Sequence, residues 1–529
     1  MRVSSDEFTA LAPPPKNAMP SWGTACQPDF VAMRAEKDYA TVGLGAMDDA
    51  ALLGPRKGSV MSEIVSLFKL LRQATQAQTA TAIENLVRDG ADGDLTRVNV
   101  PGFAARRGLD EEQTIAGFLH ASALGLFDLS WNVLCPGCGG VLETNASLKT
   151  VVKDDYTCAL CAADYAPTLD ELVEVTFTVN PRIRRIAGHR PDELSLADYL
   201  RYIYFGSWVD ITDASFDALM NEALIDTMDL AAGERAVMSL TLPEGYVIVF
   251  EPVTHAAQFV PVSGEPVRER QTLTVIYDSD HQHNEEVPLR PGPLRLSLEN
   301  RTDARTLPTV FIAGDVLHHF LGARRPFLTA KRLLSNQTFR DLHRTDTLNI
   351  DQRLKITSLT FLFTDLRGST ELYERIGDLA AFDLVQAHFK VLQGIVAAEA
   401  GAVVKTIGDA VMATFATPDR AVAAATRMHT AMQELNEQTG RDDLLLKIGL
   451  HEGPCIAVAL NERQDYFGQT VNIAARVQAL AKDQSIFVTG TVVEDAQSAR
   501  LFADLHLTPV LQHVSLRGVA RDISVYAVG

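Results

Sequence analysis

The sequence predicts a multidomain protein ending in an α+β domain, and three observations carry that reading. The chain has 529 residues, more than one hydrophobic core accommodates, so two to four domains are expected. From Ile356 onward the apolar pattern alternates in the order strand, helix, hairpin, helix, strand. Upstream, two Cys-x-x-Cys pairs separate a helical stretch from a run of short alternating strands.

Residues 1–96 read as an arm containing Pro13-Pro14-Pro15, followed by helices over Ser59–Val87 with apolar Val60, Ile64, Leu67, Leu70 and Leu71. Residues 97–132 suggest a winged-helix-like module: Val100-Pro101 opens one helix, Leu109-Asp-Glu-Glu-Gln a second, and a strand follows. Its basic footprint, Arg106 and Arg107, is thin, which favours a protein contact over DNA. In residues 133–168, Cys135 and Cys138 are followed after nineteen residues by Cys158 and Cys161. Four thiolates at this spacing close a tetrahedral structural Zn2+ site, a zinc ribbon, with a redox or iron–sulfur role as the alternative. Residues 169–314, including Leu172–Val179, Ala236–Leu242, Tyr246–Phe250, Gln271–Ile276 and Leu294–Leu298, read as an antiparallel β-rich sandwich or barrel interrupted by a helical insert near Leu196–Asp229. His281 and His283 beside Asp278 and Asp280 fit a solvated hairpin tip better than a metal site. Residues 315–353 form an amphipathic helical connector to the last domain, 354–529.

Bulk properties narrow the function. The formal charge of −19 disfavours non-specific binding to nucleic acid. No apolar run reaches membrane-spanning length and the N-terminus lacks a signal-peptide core, so no membrane association is expected. Six cysteines, four of them in a metal-type cluster, fit the reducing cytoplasm.

The chemistry concentrates in the last third. Lys405-Thr-Ile-Gly-Asp409, flanked by alternating apolar residues, predicts a β-hairpin with Gly408-Asp409 at its tip. Asp365 ends a buried strand and Leu366-Arg367-Gly368-Ser369 turns into a helix. Two strand-end aspartates beside a helix N-terminus suit divalent ions and a polyphosphate. Leu444–Gly453 reads as a buried strand ending in a turn. After it, Asp465 leads into a helix on which Asn472 and Arg476 share a face, a pair suited to anionic or ribose groups. Leu516-Arg517-Gly518 places a cation at a turn before the final strand.

Phe363–Thr370, Lys405–Asp409, Asp465–Arg476 and Leu516–Gly518, in this order, resemble the motif set of the class III nucleotidyl cyclases. The resemblance covers the last third. More weakly, the front two thirds resembles the front half of some soluble bacterial cyclases. It implies a ferredoxin-like catalytic domain that converts ATP to cyclic AMP and pyrophosphate. Asp365 and Asp409 would hold two Mg2+ or Mn2+ ions per active site. Lys405 would donate to adenine N1 and Asp465 accept from its amine, a pairing that guanine mismatches. Asn472 would orient the ribose, and Arg476 would stabilise charge on the α-phosphate. Arg517, where the family usually has lysine, and the amides of Leu366, Arg367, Gly368 and Ser369 would neutralise the triphosphate. The resemblance further implies a homodimer through the cyclase domain, under control of an unknown ligand or protein at the N-terminal region. A non-catalytic nucleotide sensor and a guanylate cyclase are the alternatives.

Overall fold

The computed structural model describes residues 57–529 apart from 152–154, 167, 279–285, 344–353, 443, 461–462, 482–484, 515 and 517–522. Helices α1 (Lys57–Ala74), α2 (Ala77–Asp89), α3 (Val100–Arg107) and α4 (Glu111–Ala123) come first. The side chains of Asn99 and Asp110 cap α3 and α4, accepting from Gly102 N and Gln113 N at 2.8 Å each. The ring of Phe118 on α4 lies 5.5, 5.2 and 5.4 Å from those of Phe103, Phe127 and Phe177. These contacts dock the helices on a sheet of order β2-β1-β5, formed by β1 (Phe127–Leu134), β2 (Val141–Asn145) and β5 (Val173–Val179). Between them β3 (Tyr156–Cys158) and β4 (Ala163–Tyr165) make the small cysteine-bearing hairpin.

Two expectations shift here. The strand at the end of the winged-helix-like span pairs only with strands outside 97–132. Val173–Val179, expected to open the β-rich region, lies in this first sheet instead. It is buried on both faces except at Thr178, so it lacks the alternation that ties a strand to one sheet.

Helix α5 (Leu196–Tyr199), continuing as a π turn over Leu200–Tyr204, and α6 (Asp213–Ala218) precede the β-rich region. Its strands are β6 (Leu224–Thr227), β7 (Arg235–Leu242), β8 (Gly245–Glu251), β9 (Ala256–Val262), β10 (Gln271–Tyr277), β11 (Gly292–Asn300) and β12 (Thr309–Ile312). They form two sheets, β6-β12-β8-β9 and β10-β11-β7. Val247, Val260, Val275 and Leu296 share one core between them, as in a sandwich. The expected antiparallel pattern fails at one pair, since β10 and β11 are parallel. The segment holding His281 and His283 lies outside the described residues.

Helices α7 (Asp315–Gly322), α8 (Ala330–Leu334) and α9 (Gln337–Leu342) occupy the expected connector. The last two are built into the core. Phe339 on α9 meets Trp131 at 5.8 Å, and Arg332 on α8 forms ion pairs with Glu111 and Glu112 at the start of α4.

The last region contains β13 (Leu354–Leu366), α10 (Ser369–Ile376), α11 (Asp378–Ala398), β14 (Gly401–Ile407), β15 (Ala410–Phe415), α12 (Pro418–Thr439), β16 (Leu446–Leu460) and β17 (Arg463–Phe467). Then follow α13 (Gln469–Leu480), β18 (Ile486–Thr489), α14 (Gly490–Glu494), α15 (Ala496–Asp504), β19 (Pro509–Gln512) and β20 (Val525–Val528). The sheet runs β14-β15-β13-β16-β18-β20-β19, with β17 on the extension of β16. Its first four strands, with α11 and α12, give the ferredoxin-like βαββαβ order. β16 does not stop at Gly453 as expected. It continues through Pro454, where the register against β13 shifts between Ile356 and Leu359 and the missing amide is tolerated.

Alternate residues of β13 enter different cores. Leu362 and Leu366 join a cluster with α11 and α12. Leu359, Phe361 and Phe363 join Met412 and Tyr466 in a cluster continuous with Trp131, Leu334 and Phe339 of the front half.

Candidate active site

Asp365 lies one residue before the end of β13, and Asp409 lies in the two-residue turn between β14 and β15. The Leu366 amide donates to Asp409 Oδ2 at 3.2 Å, which ties the turn to the strand end. Burial raises the pKa of the Asp365 carboxyl, and the nearby charge of Asp409 raises it further. Lys447 partly opposes this, with its Nζ 3.8 Å from Asp365 Oδ2, and Gln478 also acts on Asp365. Two crowded carboxylates with hard oxygen donors are a chemically suitable seat for hard divalent cations.

The lysine and aspartate on β14 and β17 meet directly. Lys405 Nζ donates to Asp465 Oδ2 at 2.6 Å. Asp465 is 6 % exposed and its Oδ1 accepts from the Tyr466 amide at 2.9 Å, so its orientation is fixed on both oxygens.

Helix α13 starts after Gly468, whose φ of 147° suits glycine. Thr470 Oγ1 donates to Pro454 O at 2.5 Å. The helix lies so close to β16 that a Cβ at Gly449 would stand 2.2 Å from Gln478 N. Asn472 is exposed and Arg476 half-buried. Among the described residues neither side chain has a hydrogen-bond partner. Arg517 lies outside the described residues. Of the four amides expected to face phosphates, Leu366 N is taken by Asp409 and Arg367 N donates to Leu445 O at 2.9 Å. That leaves Gly368 and Ser369, where α10 begins.

Several residues at the site escape sequence reasoning. Gln337 Oε1 accepts from Val403 N at 2.8 Å, and Arg340 Nη2 donates to Gln464 O at 2.9 Å. Tyr466 Oη donates to Leu334 O at 3.4 Å. Thus α8 and α9 hold the strands carrying Lys405 and Asp465. Lys447 had a visible signal, a lone cation inside an otherwise apolar strand. The contacts of α8 and α9 had none.

The four thiols of Cys135, Cys138, Cys158 and Cys161 form a second site. Their ligand atoms lie within 4.8 Å of one another, and two Sγ–Sγ distances are 3.6 Å. A tetrahedron with ~2.3 Å metal–sulfur bonds has edges of about 3.8 Å, so the cluster has metal-site dimensions. Arg324 Nη2 donates to Gly137 O at 2.7 Å, and its guanidinium stacks on Trp208 at 4.5 Å. Its cation lies close enough to act on three of the thiols.

Residues 354–529 form a ferredoxin-like α+β region of the nucleotidyl cyclase class. Residues 352–528 match the family described as "Adenylate and Guanylate cyclase catalytic domain". The chain belongs to the family described as "Family of unknown function (DUF5939)", which matches residues 61–341. It is similar to an adenylate cyclase of Anabaena cylindrica, 29% identical over 185 residues, covering 32% of this chain and 36% of that protein. It is also similar to adenylate cyclase 2 of Rhizobium meliloti (strain 1021), 31% identical over 200 residues, with 35% and 52% covered. The chain thus spans about a third to a half of the length of these relatives. Among solved structures, the adenylyl cyclase CyaB of P. aeruginosa matches with a TM-score of 0.30 and 24% identity, over 34% of this chain and 96% of that one. The guanylyl cyclase Cya2 matches with a TM-score of 0.30 and 22% identity, over 34% and 92%. Among the described residues no helix is long and apolar enough to cross a membrane.

Proposed function

We propose that the protein is an adenylate cyclase that forms 3′,5′-cyclic AMP and pyrophosphate from ATP. The Lys405–Asp465 pair carries the choice of base. A lysine donor beside a carboxylate acceptor complements adenine N1 and its exocyclic amine, whereas guanine presents a protonated N1 and a carbonyl. Asp465 is buried, so a base that leaves its carboxylate mismatched is strongly disfavoured. On binding, adenine replaces the ion pair that the two side chains make with each other.

Asp365 and Asp409 would hold two Mg2+ or Mn2+ ions, which supply Lewis-acid stabilisation of the phosphates and lower the pKa of the 3′-hydroxyl. Asn472 orients the ribose, and Arg476 stabilises charge developing on the α-phosphate. Gly368 and Ser369, with Arg517, receive the terminal phosphates. The reaction forms the O3′–Pα bond, breaks the bond from Pα to the bridging oxygen, and releases the 3′ proton to solvent. A structural Zn2+ on the four cysteines completes the proposed ion content.

The active unit is a homodimer. One chain carries both the carboxylate pair and the Lys405–Asp465 pair with Asn472 and Arg476, so two copies of it can supply two equivalent shared sites. Asp365→Ala and Arg476→Ala chains are expected to be inactive alone and to regain activity when mixed; absence of recovery excludes the shared site. The deciding experiment is product chromatography after incubation with ATP or GTP and Mg2+ or Mn2+, beside Asp409→Asn. Cyclic AMP absent from the control supports the reading. Cyclic GMP overturns the assignment of Lys405 and Asp465, and absence of both products overturns the catalytic reading.

A further inference from the structure

Between the start of α3 and the segment 201–211 lies a cavity of about 250 Å³. Arg97, Arg106, Arg201 and Arg325 line it, and Asp94 is the one lining carboxylate among the described residues. Asp94 is already engaged, accepting from the Ala91 amide at 3.2 Å. The four guanidiniums come from parts of the chain far apart in sequence, so they converge by folding rather than by local composition.

They are held in place to different degrees. Arg97 donates to Ile203 O and, at 2.8 Å, to Thr144 Oγ1. Arg325 Nε donates to Ser207 O at 2.6 Å. Arg201 pairs with Asp213 at 3.0 Å and lies over the Phe216 ring at 4.0 Å. Arg106 pairs with no carboxylate among the described residues, and its charge acts unfavourably on Arg325. The opposing carboxylates do not lie in the cavity lining. Glu174 is fully buried, bound by Ser207 and Asn132, and Asp210 acts on Arg325.

Two further features mark a built cavity. Arg97 has φ +48°, a left-handed conformation costly for a side chain of this size. Gly93 keeps its wall open to Tyr202: a Cβ there would stand 2.5 Å from Tyr202 Cε1.

We infer that this pocket binds a compact oxyanion, a phosphate- or carboxylate-bearing small molecule. Guanidiniums present paired N–H groups to such oxygens, and an anion between Arg106 and Arg325 relieves their repulsion. The volume suits an anion smaller than a nucleoside triphosphate. The inference is independent of the catalytic reading. Arg325 opens the segment that runs through Pro326, whose carbonyl accepts from Asn99 at 2.8 Å, into α8 and α9.

The test is titration calorimetry of the full-length protein with inorganic phosphate and, separately, citrate at constant ionic strength. The Arg106→Gln variant is compared with Arg290→Gln, a change at an exposed site elsewhere. Arg106 is exposed and pairs with no carboxylate among the described residues, so its variant should fold normally, checked by its melting curve. Saturable binding of either anion, weakened about tenfold or more in Arg106→Gln and unchanged in Arg290→Gln, is expected. The stronger of the two anions identifies the headgroup. No saturable binding at millimolar concentrations, or binding unaffected by Arg106→Gln as at the catalytic phosphate site, overturns the inference.

Discussion

Arg340, in the last helix of the front half, donates to the carbonyl of Gln464, the residue immediately before Asp465. A side chain from the region of unknown function therefore fixes the backbone that presents the proposed base-reading carboxylate. Arg340→Ala removes a charged donor at a partly buried bond, an effect of about 1.5–3 kcal/mol. It is expected to lower kcat/KM for ATP roughly tenfold or more, while Arg340→Lys recovers part of it. Equal loss in Lys and Ala, together with a collapsed melting curve, would indicate a purely structural role.

Gly449 sets the separation of β16 and α13. Gly449→Ala is expected to displace the helix bearing Asn472 and Arg476, lowering kcat by about 10² with a smaller change in KM. Steady-state kinetics with ATP reads this directly.

The base-reading pair gives a third expectation. Lys405→Ala leaves Asp465 buried without its partner and removes the donor to adenine N1. The ATP-to-GTP ratio of kcat/KM should then fall by about 10² or more. An unchanged ratio assigns selectivity elsewhere.

For the cysteine cluster, metal analysis should return one zinc per chain, and iron would redirect the assignment. Cys138→Ser, or strong chelation, should release the ion and lower stability by several kcal/mol. The knuckle also holds neighbouring structure: Gly206 N and Trp208 Nε1 both donate to Gly139 O, at 2.9 and 3.3 Å.

Acid sensitivity follows from His388 and His451, whose pKa values burial lowers to about 4. Both are neutral in the folded state, and the unfolded chain takes up protons first, near pH ~6.5. Their stabilisation is therefore complete above that pH and declines as pH falls towards 4. Each contributes on the order of 3 kcal/mol at most. Asp365, whose pKa is raised, acts in the opposite sense, favouring the fold as it protonates. Among the described residues His388 has no hydrogen-bond partner on either ring nitrogen, so His388→Leu should reduce the pH dependence of the denaturation midpoint between about 4 and 6.5, leaving the His451 contribution.

Local signals revealed much of the catalytic fold. The Gly408-Asp409 hairpin tip, the strand ending near Asp365 and the helix bearing Asn472 and Arg476 all arise from short-range periodicity and turn chemistry. The meeting of Lys405 with Asp465 came from resemblance, since the two are sixty residues apart. Arg340, Gln337 and Gln478 reach the site only through tertiary packing, which leaves no periodic trace. Strand β16 misled for a local reason: Gly453-Pro454 has the composition of a turn, yet the register shift on β13 absorbs it.

The apolar cluster that runs from Trp131 and Phe339 into Phe361, Phe363 and Tyr466 has a consequence for descent. Two segments that match separate families share one interior, so neither can be exchanged like a cartridge. A catalytic fragment cut loose near residue 350 would carry those side chains into water, at about 2 kcal/mol for each large one, and would be prone to self-association. Substitutions on one side of this seam are screened by the other, and the two halves are therefore expected to be inherited together.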